Sequence, residues 1–246
     1  VALPGLEGRK AFKKDGVTNL FVKEVFPTLQ GEGPLTGTPA VFVRLAGCNL
    51  KCWYCDTDFL GGTRFTVPQI LAAVGEECPP SSVGGRLVVL TGGEPFAQNL
   101  VPLVTSLLGN KYRVQIETAG TLWQNLPEHP DLCIVVSPKT PKVHSSVRLR
   151  AMAWKYVVDA SKDYDPVDGL PTGVTQDSHE AGGGVPDPET EPRPLAKPTR
   201  GCPVYLQPMH EDDEEKTQRN VEEAAARCLK YGHRLSLQTH KILGLP

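Results

Sequence analysis

The chain has 246 residues, 39% of them hydrophobic, enough for one substantial core and for a single domain over 1–246. Lys plus Arg number 26 against 28 Asp plus Glu, and the net charge of -2 gives no electrostatic ground for a nucleic-acid or anionic-membrane surface; the expected partner is a small molecule. No apolar run reaches the roughly 20 residues of a bilayer span, and the singly scattered Cys78, Cys133, Cys202 and Cys228 do not form a secreted disulfide framework, so a cytoplasmic location is expected.

In chain order, the first strand expected is 40–45, a short β-branched apolar run that leads directly into a cysteine-rich loop. A helix follows over 67–77, a strand over 87–90, a helix over 99–108, and strands over 113–116, 133–136, 155–158 and 204–206. Strands this short and apolar are buried on both faces, and their alternation with helices implies parallel connections. The expected fold is an α/β partial (β/α)6 barrel of TIM-like form. Between 161 and 201 stand Pro at 166, 171, 186, 188, 192, 194 and 198 and the triplet Gly182-Gly183-Gly184. Such a stretch has too little apolar surface to offset its ordering entropy, so a mobile surface insertion is expected there. A last helix over 212–231 has acids in its first turn, an apolar stripe of Val221, Ala224, Ala225, Cys228 and Leu229, and Gly232 to close it.

The loop after the first strand reads Gly47-Cys48-Asn49-Leu50-Lys51-Cys52-Trp53-Tyr54-Cys55. Three thiolates on one short loop can ligate three irons of a 4Fe-4S cube and leave the fourth iron without a protein ligand, where the amino group and carboxylate of a methionine can chelate. Zinc is the alternative, but a structural zinc usually takes four ligands, and here the fourth would come from a distant Cys or His. Cys-x3-Cys-x2-Cys with an aromatic before the last Cys resembles the radical S-adenosylmethionine superfamily.

Polar residues stand where the apolar runs end, which is where α/β barrels gather their functional groups. Thr91-Gly92-Gly93-Glu94-Pro95 follows the 87–90 strand, and its two glycines allow the backbone close to a ligand. The segment resembles the superfamily's hold on the methionine amino group. Glu117, Ser137, Lys139 and Gln207 stand at later strand ends, where ribose hydroxyls or a carboxylate can be hydrogen-bonded; each taken alone equally suits a cap.

Three segments narrow the choice: Phe26-Pro27-Thr28-Leu29-Gln30-Gly31-Glu32-Gly33, Phe42-Val43-Arg44-Leu45-Ala46-Gly47-Cys48-Asn49-Leu50, and Cys55-Asp56-Thr57. Together they resemble the 7-carboxy-7-deazaguanine synthase family, and the likeness runs from about Phe21 to the end apart from the Pro-rich stretch. It implies a ring contraction of 6-carboxy-5,6,7,8-tetrahydropterin to 7-carboxy-7-deazaguanine with loss of ammonia, in queuosine or another deazapurine route. It implies a 4Fe-4S cluster, S-adenosylmethionine and Mg2+ as cofactors, a flavodoxin or similar reductant, and a homodimer. It places Gln30, Glu32, Arg44, Thr91, His240 and Pro246 at the substrate and Thr57 on magnesium. It places Gly92, Gly93, Glu94, Glu117, Ser137, Lys139 and Gln207 at S-adenosylmethionine.

The residue chemistry accords with those roles. Gln30 and Glu32, spaced i, i+2, point to one side of an extended segment and match the donors and carbonyl of a pyrimidine edge. Arg44 offers a planar fork for a carboxylate, or an ion pair at the barrel mouth. Asp56-Thr57 alone equally suits a helix cap. The apolar 242–246 tail is expected to tuck in, with the α-carboxylate of Pro246 as an acceptor. A glycyl-radical activase would share the cluster motif without needing Gln30, Glu32 and Arg44, and a zinc-stabilised binding module is the non-enzymatic alternative.

Overall fold

The computed structural model describes residues 19–78, 86–173 and 194–246. Strand β1 (Asn19–Leu29) forms an antiparallel hairpin with β2 (Pro39–Leu45), and β3 (Thr63–Thr66) pairs antiparallel with the outer edge of β1. From β2 the sheet continues by parallel pairing through β4 (Arg86–Gly92), β5 (Tyr112–Thr118), β6 (Leu132–Val136), β7 (Ala151–Val158), β8 (Val204–Pro208) and the two-residue β9 (Arg234–Leu235). The spatial order is β3-β1-β2-β4-β5-β6-β7-β8-β9. All six expected strands are present and sit side by side as the parallel run from β2 to β8. Helices α1 (Val67–Glu77), α2 (Val101–Gly109), α3 (Ser145–Arg150) and α4 (Glu214–Tyr231) occupy crossovers, and α5 (Thr239–Ile242) is a single turn near the end.

Alternation along the strands sorts two faces. Val114 and Ile116 of β5, Trp154 and Tyr156 of β7 and Leu206 of β8 join the main core with Ile70 and Val74 of α1, Leu103 and Leu107 of α2 and Ala224 of α4. The intervening residues Gln115, Glu117, Lys155 and Gln207 therefore point to the opposite, concave face of the sheet. That polar stripe inside an otherwise apolar sheet is what makes a site.

Helix α1 covers the expected 67–77, started by a capping box between Thr66 and Gln69. Helix α4 starts at Glu214, with Asp213 accepting from Lys216 N at 3.1 Å, and Gly232 closes it in the left-handed region at φ 75°. Its expected apolar stripe holds at Ala224, in the core, and at Cys228, packed against it, but not at Leu229, which is 88% exposed; Asn220 is buried on the same helix. Asn220 turns inward because its amide ties the helix to strand ends, donating to Met209 O at 2.9 Å and accepting from Ala160 N at 2.7 Å.

Among the described residues, two crossovers show no helix of the kind that a strict alternation would give. Between β5 and β6 the chain runs irregularly and contributes Leu126, with Leu122 and Trp123, to the core. Between β7 and β8 lies the Pro-rich stretch. Its expected character as a surface insertion does not hold at its ends: Leu170, Leu195 and Ala196 are core residues, and Tyr156 Oη donates to Ala196 O at 2.7 Å. Lys197 clamps these ends by reaching Asp165 at 2.9 Å and Asp168 at 2.7 Å. The middle, 174–193, lies outside the described residues. Among the described residues no helix is long and apolar enough to cross a membrane.

Candidate active site

The loop that carries the cysteines is pinched at its base. Ala46 N donates to Phe21 O and Gly47 N to Phe59 O, both at 2.9 Å. Buried Gln98 supports it from beneath, donating to Ala46 O at 2.8 Å and Phe21 O at 2.9 Å and accepting from Phe21 N at 2.7 Å. The tip of β4 is knitted to the same base: Gly93 N donates to Leu45 O at 3.0 Å and Glu94 N to Gly47 O at 2.9 Å. A Cβ on Gly93 would lie 2.0 Å from Gly47 O, so the glycine is required by this backbone approach within the protein. The expected reason, close approach to a ligand, is not the one that the packing shows.

None of Cys48, Cys52 and Cys55 is in a disulfide, and all three line one cavity of about 410 Å³. Burial pushes the Cys48 thiol up to about 12 and raises that of Cys55, so these are thiols unless a cation draws off the protons. Among the described residues no three His, Cys, Asp or Glu side chains stand together closely enough to hold a metal ion. The donor chemistry nevertheless fits an iron-sulfur group: three soft sulfurs on one irregular loop, free of sheet pairing except for a bridge at Cys52, all at one cavity. Thr57 lines the same cavity with its hydroxyl 3.4 Å from Asp56 Oδ1, and Asp56 in turn accepts from Lys241 at 2.8 Å.

Around the rim stand the expected strand-end residues. Glu94 is fully buried, and its carboxylate accepts from Thr118 Oγ1 at 2.7 Å, Phe96 N at 3.0 Å and Ala119 N at 2.9 Å. It thus clasps the ends of β4 and β5 together, while burial raises its carboxyl above the ordinary range. Lys139 Nζ donates to Ser137 Oγ at 2.7 Å and lies 5.4 Å from the centre of the Tyr54 ring. Thr91, Gly92 and Gly93 complete this side of the cavity.

The cavity floor is a polar network on the concave face. Lys155 of β7, 6% exposed, pairs directly with Glu32 and stands 3.6 Å from Glu117 Oε2. Glu32 also accepts from Gln238 Nε2 at 2.8 Å and Gln207 Nε2 at 3.2 Å. Burial would raise the Glu32 carboxyl, but the Lys155 ammonium and the Gln238 amide outweigh it and hold the group below its ordinary value. Glu117 Oε1 accepts from Gln30 Nε2 and Gln115 Nε2, each at 2.9 Å, and Gln30 Oε1 accepts from Glu32 N at 3.0 Å. Gln30 therefore braces the floor beside Glu32, and Glu117 belongs to the floor rather than the rim. Two buried acceptors of this network have no partner among the described residues, Gln115 Oε1 and Gln207 Oε1. Lys155, Gln238, Gln115 and Gln98 went unread in the sequence.

Residues 43–160 match the radical SAM superfamily. Over 233 residues the chain is 45% identical to the 7-carboxy-7-deazaguanine synthase of Rhodospirillum rubrum, covering 92% of each chain. It is 36% identical over 245 residues to that of Rickettsia prowazekii, covering 96% of this chain and 93% of the relative. The chain belongs to the 7-carboxy-7-deazaguanine synthase family. QueE from Escherichia coli has the same fold, with a TM-score of 0.59 at 26% identity over 89% of this chain and 93% of that one. The superfamily match begins after Gln30 and Glu32 and stops before Gln207, Gln238 and His240. The synthase relatives, aligned over 92% and 96% of this chain, extend well beyond that match.

In this synthase-family chain the last expected residues meet the hairpin end of β1. Gly31 has no side chain because His240 occupies the space, with Nδ1 1.9 Å from where a Cβ would stand. Burial lowers the His240 pKa although Glu32 pulls the other way, so the imidazole is neutral at pH 7. Thr28 Oγ1 donates to Pro246 O at 2.9 Å. The expected tucked tail is corrected: Ile242 is 70% and Leu243 60% exposed, and polar contacts, not burial, dock the segment. Arg44 Nε lies 2.5 Å from Glu24 Oε1 on the neighbouring strand, so the barrel-mouth ion pair is formed while the guanidinium still lines the cavity.

Proposed function

We propose that the chain converts 6-carboxy-5,6,7,8-tetrahydropterin to 7-carboxy-7-deazaguanine, with the floor of the cavity as the pterin site. The observation that carries this reading is Gln207 Oε1, a buried acceptor without a partner, held beside the ionised carboxylate of Glu32 in one cavity with the three cysteines. An orphaned buried acceptor costs free energy until a donor reaches it, and a 2-amino-4-oxo pyrimidine edge brings several N–H donors. Glu32 and Gln207 take that edge. Arg44, whose present partner Glu24 is half-exposed, exchanges that weak pair for the substrate carboxylate. Neutral His240 offers the ligand one donor and one acceptor.

Cys48, Cys52 and Cys55 hold a 4Fe-4S cluster, and Gly92, Gly93, Glu94, Ser137 and Lys139 hold S-adenosylmethionine, which when bound supplies the radical chemistry that begins the reaction. Thr57 Oγ1 is the protein oxygen for a magnesium ion, which would take its other ligands from the substrate and water. The reading carries with it a flavodoxin-type one-electron donor, since the cluster needs an external reductant.

Turnover of the carboxy-tetrahydropterin by reconstituted protein, compared with Glu32→Gln and Gln207→Leu variants of equal iron content, tests the assignment. Loss of turnover in both variants is expected. Undiminished turnover in both would remove the floor from the pterin site, and zinc in place of iron would remove the reading altogether.

A further inference from the structure

We infer that Lys155 is a positioning residue for substrate: it neutralises Glu117 within the floor so that Glu32, four residues before Thr36 on the hairpin turn, stays ionised and aimed at the pterin. The inference rests on the function proposed above and assigns a role to a residue that would touch Glu32, not the ligand.

Three charged groups share the floor. Glu32 and Glu117 come from different parts of the chain, the β1–β2 turn and the inward face of β5, and Lys155 reaches both from β7. Side-chain exposures are 7% for Lys155, 13% for Glu32 and 16% for Glu117. Two carboxylates brought this close with so little water cannot both ionise without a cation between them. Lys155 is that cation, and burial works against its charge while Glu117 and Glu32 together outweigh the burial and hold it firmly protonated. His240 is held neutral, and Lys241 is engaged with Asp56, so neither replaces it.

The sum over the triad is one negative charge. The amides around it are all turned as donors toward the carboxylates: Gln30 and Gln115 to Glu117, and Gln207 and Gln238 to Glu32. Their turned-away oxygens include the two unpartnered acceptors, Gln115 Oε1 and Gln207 Oε1. A floor with one surplus carboxylate charge and the unfilled acceptor of cavity-lining Gln207 selects a ligand edge made of N–H donors and rejects an edge of carbonyls, which would face acceptor against acceptor. Without Lys155, one proton would be shared by Glu32 and Glu117, and the fraction residing on Glu32 would remove an acceptor that the ligand needs.

The test uses reconstituted full-length protein and measures the Kd of 6-carboxy-5,6,7,8-tetrahydropterin, together with iron and sulfide content, for native protein, Lys155→Met and the double variant Lys155→Met with Glu117→Gln. The double variant restores the floor's single negative charge without the lysine, and the glutamine oxygen can still accept from Gln30 and Gln115. Lys155→Met is expected to weaken Kd by about 10- to 100-fold, the equivalent of one charge-assisted hydrogen bond, at unchanged cluster content. The double variant should return to within about tenfold of native, since one bond of that kind is the most that remains missing.

A purely structural lysine would change stability and cluster content but would leave the Kd of the folded protein alone. Native Kd in Lys155→Met would therefore overturn the inference. If Lys155→Met does not fold, the double variant decides: recovery of binding supports the inference, and folded protein that still binds more than about tenfold weaker than native overturns it. Failure of native protein to bind the pterin is a different result, which overturns the proposed function and this inference with it.

Discussion

Gly93→Ala should dismantle the base of the cysteine loop. The new Cβ would sit 2.0 Å from Gly47 O, 2.5 Å from Gly47 C and 3.1 Å from Cys48 Cβ, and the first two are backbone atoms that no rotamer change can move. Overpacking of this kind typically costs about 1–3 kcal/mol. Relief by separating the two segments would stretch the bonds from Gly93 N to Leu45 O and Glu94 N to Gly47 O, each contributing about 0.5–1.5 kcal/mol. Together the loss is about 2 to 6 kcal/mol, and at about 2–4 °C per kcal/mol for a chain of this size the melting temperature should fall by roughly 5 to 20 °C. Cluster content should fall with it, since Cys48 adjoins the displaced carbonyl. The comparison is Gly109→Ala at the end of α2, where a Cβ meets nothing within 4 Å and helix propensity favours alanine by about 1 kcal/mol. Thermal unfolding and iron and sulfide quantification are run on both variants. A Gly93→Ala protein that melts with the native one and binds a full cluster would refute the argument from backbone approach.

Glu94→Gln should destabilise by about 1–3 kcal/mol, because an amide has one acceptor oxygen for three donors and turns N–H against N–H at Ala119 or Phe96; chemical denaturation measures it, and native stability would show that the clasp is idle. Thr57→Ala should weaken the dependence of turnover on added magnesium without lowering iron content, and an unchanged magnesium titration after chelator treatment would return Thr57 to a structural role. Replacing 174–193 by a short Gly-Ser linker should change stability by no more than about 0.5 kcal/mol and spare turnover, whereas mutating Leu195 to Ala should cost about 2–5 kcal/mol as a core deletion; thermal melts separate the two, and equal effects would contradict the division of this stretch into packed ends and a dispensable middle.

The six parallel strands were legible because each is a short, mostly buried apolar run, such as Leu87, Val88, Val89 and Leu90 of β4. Strand β1 was not, since it is half-exposed, carries Pro27 and has a register shift between Val22 and Glu24, all of which blur period-two alternation. The cysteines and the Thr91 to Glu94 tip stood out because their chemistry is local in sequence. The floor is assembled across distance: Lys155 meets Glu32 from 123 positions away and Gln238 meets it from 206. One signal was nevertheless present. A lysine followed by Tyr156, Val157 and Val158 in a buried strand needs a partner for its charge, the same argument that singled out Arg44. Applied to Arg44 it identified a charge whose partner is the nearby Glu24; applied to Lys155 it would have led to the site. Pro and Gly content likewise concealed the packed ends of the Pro-rich stretch, because Leu170, Leu195 and Ala196 are too few to show against that background.

The most direct measurement is the mass spectrum of the small molecules after anaerobic incubation of the reconstituted protein with S-adenosylmethionine, reductant, magnesium and 6-carboxy-5,6,7,8-tetrahydropterin. The account predicts 7-carboxy-7-deazaguanine and released ammonia in equal amounts, with product formation abolished when Cys48, Cys52 or Cys55 is replaced by Ala. A protein with a full complement of iron and sulfide that cleaves S-adenosylmethionine yet returns the pterin unchanged would contradict it.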